Sequence, residues 1–326
     1  MEKNPKDGSY LNLFNTENFE QKFIPIKDFN AFFSSVESFN GKYCLNDYIK
    51  SKIYIINSKT GSLKTLELSY PGIMSRPTKD GKAYILSNIR LPGWKMPLIL
   101  VDIENERIEK EVFVDNVVRS MPLFNSNDYQ GDYFYFTNEE SDITGNTFIE
   151  RINIKTDAVE KFYDLGVPAY VANATININD KVYIVVGPSH VHDVEVLPEN
   201  FKTNNIIVIG EDGKKEKVIP MPSSEFVFGK KTDDEDWFIG YSVSDGDNIY
   251  MSAFMYSDLE KGNSIIKYSI SENKFYNLGG NNSVYEMRLY DNKLVLEDDS
   301  EGEYRISVID TNKDEYVVKN KLINLY

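Results

Sequence analysis

One pattern governs this chain from end to end. A short apolar strand, a polar turn and a second strand carrying Lys or Glu near its start recur as 10–14 with 21–26, 53–56 with 63–68, 98–101 with 108–114, 148–152 with 159–165, 206–209 with 215–221, 264–268 with 274–278, and 305–309 with 315–318. The turns are built from Asn, Asp, Gly, Ser, Thr and Lys, the residues tight hairpins select. Between successive hairpins lie two further strand-like runs. The second of each pair, at 42–45, 83–87, 133–137, 182–186, 249–253 and 294–297, follows a turn such as Asn40-Gly41, Asp80-Gly81 or Asp245-Gly246. Each unit therefore has four strands, here a to d.

The turns recur roughly every 41–60 residues, the spacing of blades in a β-propeller. Windows with apolar residues at i, i+3, i+4 and i+7 are nearly absent, and 22 Tyr and 19 Phe suit pleated, half-buried surfaces. The expected fold is all-β: one propeller domain over 1–326, with seven blades of four antiparallel strands. The first blade would take its outer strands from 10–26 and be closed by the C-terminal tail Lys321-Leu-Ile-Asn-Leu-Tyr326, because a ring must join its ends to remove sheet edges. A six-bladed ring with an added N-terminal hairpin is the alternative.

The repeat resembles the bacterial seven-bladed propeller superfamily, the YncE-like and quinoprotein-like propellers, along nearly the whole chain. No recurring Gly-His and Trp-Asp pair marks WD40 blades, and Gly279-Gly280 is the only double glycine, so the kelch pattern is missing. Asp245-Gly246-Asp247-Asn248-Ile249-Tyr250 loosely matches a sialidase Asp-box, but once and without its Trp. The resemblance implies a fold and carries over no catalytic residue.

Charge narrows the partners. The net charge of −15 and the lack of any basic block argue against nucleic acid and anionic membrane surfaces. No run of 18 apolar residues predicts a membrane span. The lone Cys44 excludes an internal disulfide framework and reads as a buried thiol in the strand Tyr43-Cys44-Leu45. The first residues lack an apolar signal core, and a secreted or cell-surface protein with its signal removed is expected ahead of a cytoplasmic one.

Propeller ligands usually bind on the face bearing the d-to-a and b-to-c loops, an argument by analogy joined to the concavity of the ring mouth. Before the a strands stand Arg76, Arg119, Tyr170 and, in Tyr285-Glu286-Met287-Arg288, Arg288. Arg76 and Arg119 occupy similar places in adjacent units and would hold a carboxylate or phosphate in a fork; the plainer reading is pairing with a neighbouring Asp or Glu across blades. The b-to-c loops contain Trp94, a stacking platform, and the long insertion 187–204 with His190 and His192. In an extended segment these imidazoles point to one side, a partial metal set lacking a third ligand; surface histidines in a decorated loop are the simpler reading. The Ser-Asp-aliphatic and Gly-Asn pattern shared by 141–146 and 257–263 is explained by turn chemistry. No metal or cofactor is expected. Gly-x-Ser-x-Gly, phosphate-loop and His-Glu-x-x-His motifs are all missing. The leading expectation is a non-enzymatic propeller for a small-molecule, carbohydrate or protein ligand. The alternatives are a lyase or hydrolase using His190 or His192 with Arg76 and Arg119 on a carbohydrate or small anion, and an interaction scaffold.

Overall fold

The computed structural model describes residues 9–323 apart from 16, 17, 19, 27–33, 76, 78, 79, 88, 90, 94, 115–120, 123–132, 140–146, 154, 167–169, 189–202, 211, 232–236, 256–262, 281–283, 285 and 299–302. A hairpin of β1 (Ser9–Phe14) and β2 (Gln21–Ile26) comes first. Six sheets follow, each a meander of four consecutive antiparallel strands. Blade one is β3 (Ser34–Phe39), β4 (Lys42–Asp47), β5 (Lys52–Asn57) and β6 (Leu63–Glu67). Blade two is β7 (Gly72–Met74), β8 (Lys82–Ser87), β9 (Met96–Asp102) and β10 (Arg107–Val114). Blade three is β11 (Met121–Pro122), β12 (Tyr133–Glu139), β13 (Thr147–Asn153) and β14 (Val159–Asp164). Blade four is β15 (Tyr170–Ile178), β16 (Lys181–Pro188), β17 (Asn205–Gly210) and β18 (Lys215–Pro220). Helix α1 (Ser224–Phe228) leads to blade five, β19 (Trp237–Ser244), β20 (Asn248–Met255), β21 (Asn263–Ser269) and β22 (Lys274–Gly279). Blade six is β23 (Glu286–Tyr290), β24 (Lys293–Asp298), β25 (Arg305–Asp310) and β26 (Glu315–Leu322).

The blades stack face to face, so their middle strands are covered on both sides and read as continuous apolar runs. Every residue of β9 and β17 is buried, whereas the fourth strands β6 and β18 are largely exposed. The first strands of blades four, five and six lie against one another and mark the ring's inner edge. Cys44 is fully buried, its sulfur 3.5 Å from Met74 Sδ, and burial pushes its thiol up.

The c-to-d turns of the first three blades share one device. The last residue of the c strand folds its side chain onto the turn: Asn57 Oδ1 accepts from the Lys59 and Thr60 amides at 3.0 Å, Asp102 Oδ1 from Asn105 at 2.9 Å, and Asn153 Oδ1 from Lys155 at 2.9 Å. The turns then need one left-handed residue, filled by Gly61, Glu106, Asp157, Asn273 and Asp314. Four of these residues also receive a lysine from the preceding blade: Lys42 reaches Glu106 at 3.0 Å, and Lys110, Lys217 and Lys267 reach Asp157, Asn273 and Asp314. Such part-exposed contacts contribute about 0.2–1 kcal/mol each.

Two expectations are corrected here. The tail does not complete the N-terminal hairpin: Lys321 and Leu322 belong to β26, paired with Ile306 and Arg305 of β25. Among the described residues the ring therefore has six four-stranded blades, the alternative count, and β1–β2 is a separate two-stranded sheet. Its Leu11 and Ile26 pack on Leu45, Tyr54 and Ile56 of blade one.

Glycine is required where β7 opens. A Cβ on Gly72 would lie 2.6 Å from the Leu86 carbonyl oxygen and 2.7 Å from Ile85 Cγ2, while the Gly72 carbonyl accepts from Asn46 Nδ2 at 2.6 Å. Gly72→Ala should lower stability by about 1–3 kcal/mol through overpacking, read from a urea unfolding midpoint.

Candidate functional site

Of the side chains singled out in the sequence, Arg76, Trp94, Arg119, His190 and His192 lie outside the described residues, as do the loops 141–146 and 257–262. Tyr170 opens β15, its backbone paired with Pro188. Arg288 is not in a loop: it lies mid-strand in β23, opposite Val295 of β24.

Strand alternation puts Glu286, Arg288 and Tyr290 on one face of β23 and Met287 on the other, which packs towards blade five. The Arg288 side chain is 13% exposed and points to blade one. Its Nε donates to Glu286 Oε1 at 2.8 Å, its Nη2 donates to the Val36 carbonyl, and its Nη1 stands 3.9 Å from Glu37 Oε2. Burial alone would lower the guanidinium pKa; Glu37 and Glu286 outweigh it and hold the charge firmly on. Glu297 of β24 completes the set, accepting from the Tyr304 hydroxyl at 2.7 Å. Burial and then the nearby Glu286 push its carboxyl up, against the opposing pull of Arg288 and Tyr304. One guanidinium thus serves three carboxylates where blade six meets blade one. Sequence spacing carried no sign of this, because Arg288 and Val36 are 252 positions apart.

A second feature lies at the blade end where the b-to-c and d-to-a connections run. Helix α1 forms because Ser223 caps it, its Oγ accepting from the Phe226 amide at 3.4 Å, and Gly229 stops it in a left-handed conformation, donating to the Glu225 carbonyl. Asn277 of β22 then donates to the Phe226 and Val227 carbonyls at 2.7 and 2.8 Å, tying the helix end to blade five. Phe228 packs edge-on against Trp237, which opens β19 and is 3% exposed, as a core a-strand residue should be. Between these elements lies a pocket of about 310 Å³ lined by Lys230, Asn263, Asn277, Gly280 and the α1 C-terminal residues Val227 to Gly229. Its walls carry an ammonium, the Asn263 side-chain amide and backbone groups, which suits a small hydrogen-bonding ligand, while the Asn277 amide is taken up by the helix end and its own strand. The sequence reading passed over this helix. Its signal was the capping pair Ser223 and Gly229, not periodicity, since five residues are too few to show one.

The Asp-box-like segment is a turn. Asp245 accepts from the Asp247 and Asn248 amides at 2.9 and 2.7 Å and from the Tyr250 hydroxyl at 3.0 Å. Burial would raise this carboxyl, but those hydrogen bonds outweigh it and hold the pKa low. The segment joins β19 to β20, at the opposite end of the blades from the pocket.

No protein-family model matches the sequence, and no curated protein does either. Solved structures match the fold. The β-propeller domain of the Trilobed protease from Pyrococcus furiosus, described as having an open velcro topology, superposes with a TM-score of 0.61 at 14% identity, over 98% of this chain and 90% of that one. Oligogalacturonate lyase from Vibrio parahaemolyticus gives 0.60 at 12%, over 96% and 85%. Hydrazine synthase from Kuenenia stuttgartiensis gives 0.59 at 11%, over 85% and 76%. At such identities the likeness concerns architecture alone, and it agrees with the strand order: the chain is an all-β propeller built of four-stranded antiparallel blades.

Proposed function

We propose that this propeller is a non-enzymatic binding module that takes a small polar molecule, a carbohydrate or an exposed segment of a protein on the face bearing its b-to-c and d-to-a connections. The observation that carries the reading is the pocket between α1 and blade five, which opens on that face. Chain lengths agree with it. The c-to-d turns at the other end are short and locked, whereas the sequence separations from β16 to β17 and from β18 to β19, whose facing ends lie at the pocket end, are longer. Long loops on a rigid scaffold are where recognition concentrates.

The test is a thermal-shift screen of carboxylates, phosphates, mono- and oligosaccharides and short peptides, followed by calorimetry. A ligand that binds wild type should bind Lys230→Glu at least about ten-fold more weakly if anionic, a loss of about 1.4 kcal/mol. Lys230 is exposed, so the variant should keep its stability within about 0.5 kcal/mol. A ligand whose affinity ignores Lys230→Glu and a bulky replacement of Gly280 removes the pocket from the proposal. Turnover of any bound carbohydrate or anion replaces it with the lyase or hydrolase reading.

A further inference from the structure

Exposed apolar side chains on this molecule mostly stand singly on fourth strands, as Leu63, Val218 and Val317 do, and isolated residues of that kind are ordinary. At the pocket end of blades one and two they gather instead. Ile49, in the turn between β4 and β5, is 54% exposed; Ile89, after β8, is 37% exposed; and Phe113, near the end of β10, is 44% exposed. Tyr70, between β6 and β7, meets Phe113 edge-on with ring centroids 6.5 Å apart. The backbone sets these segments side by side. Leu68 donates its amide to the Ser51 carbonyl at 2.8 Å, which lays the turn of Ile49 along the segment of Tyr70. Gly72 pairs with Ser87, whose Oγ accepts from the Ile89 amide at 3.1 Å. Leu91 and Lys95 bridge back on one another, and β9 then brings Pro97 opposite Phe113.

We propose that this surface docks a segment of another protein that carries both apolar anchors and carboxylates. The charge pattern selects that chemistry. Although 51 of the 326 residues are Asp or Glu, the segments 48–51, 68–71 and 88–97 contain none. The charged side chains described in them are Lys50 and Lys95, both exposed. Of the acids that flank the surface in the chain, Asp47 is fully buried and accepts the Lys50 amide at 3.0 Å, Glu67 is paired with Lys52 at 2.9 Å, and Asp115 lies outside the described residues. Aromatic and aliphatic anchors free of carboxylates are the composition of a recognition surface, and the two ammonium groups beside them favour a negatively charged occupant. Range argues against an extended polyanion. A membrane or nucleic acid would face the whole molecule with its net charge of −15. A short segment senses only charges within about 8 Å, the screening length at physiological ionic strength. This site lies on blades one and two and is separate from the pocket of α1 and blade five.

A random peptide library displayed on phage and selected on the immobilised full chain tests this. Enriched peptides should combine Phe, Leu, Ile or Trp with Asp or Glu and carry net negative charge. Fluorescence anisotropy of those peptides, made synthetically, should show binding that weakens as salt is raised. Affinity should fall at least about ten-fold for the double variant Ile49→Ser with Phe113→Ser. Lys50→Glu with Lys95→Glu leaves the apolar residues in place and gives the same readout should the first variant fold poorly. Failure to enrich any peptide, enrichment of neutral or basic ones, or affinity that both variants retain overturns the proposal. Affinity lost in Lys230→Glu but kept in both variants moves the peptide to the α1 pocket and overturns this site alone. Sedimentation with phosphatidylserine vesicles that the variants abolish replaces the protein segment with a lipid surface. A concentration-dependent dimer in light scattering that the variants abolish replaces it with a second copy of the chain.

Discussion

Replacing Arg288 by Met should destabilise the folded chain by about 3–5 kcal/mol, the range for removing one partner of a buried ion pair. The loss would not come from the pair itself, whose attraction is largely offset by desolvation. It would come from leaving Glu286, Glu37 and Glu297 facing one another with no cation, and the Val36 carbonyl with no donor. The variant to compare is Arg288→Met combined with Glu286→Gln and Glu297→Gln. Neutralising the set should recover most of the loss, because a buried charge cluster exchanged for groups of similar volume is often near neutral in stability. Urea unfolding of the three proteins, with equal m-values, provides the measurement. A loss below about 1 kcal/mol for Arg288→Met would place the cluster with solvent-screened surface pairs.

The repeating parts of this molecule were legible because each is fixed by local chemistry. The b strands at 42–45, 83–87, 133–137, 182–186, 249–253 and 294–297 all fall within β4, β8, β12, β16, β20 and β24, since a strand buried on both faces needs an apolar residue at nearly every position. The c-to-d turns were equally plain: Asn57, Asp102 and Asn153 do locally what their side chains do best. The ring's closure was not legible. The d strand of blade six was read as ending at residue 318, which left the tail free to pair elsewhere. Instead β26 continues through Asn320, in a left-handed conformation with its amide donating to Ser307 Oγ at 2.8 Å, and two register shifts let the longer strand face the shorter β25. A bulge of that kind has no periodic signature. The Arg288 cluster was out of reach for a different reason. Its members are scattered from Glu37 to Tyr304, and only the completed ring brings them together.

The second large effect lies at the junction of blades two and three. Phe134→Ala should cost about 3–5 kcal/mol, the range for a buried aromatic cut to Ala. Phe134 is 1% exposed, and its ring stacks on Tyr84 of the neighbouring blade with centroids 4.7 Å apart. Phe136 lies beside it at 6.2 Å, and Leu98, Leu100 and Ile152 complete the cluster. Phe134→Leu keeps most of the volume and should cost less than about 1.5 kcal/mol. Pairing the Ala variant with Arg288→Met shows whether the ring behaves as one unit. The two sites share no partner and belong to different junctions, so their losses should add within about 0.5 kcal/mol if both variants act on a closed ring. A combined loss well below the sum would mean that removing Arg288 had already relaxed the packing between blades two and three. Additivity within error would mean that the apolar junctions hold without help from the Arg288 cluster. Unfolding midpoints of the two single variants and the double variant decide between these outcomes.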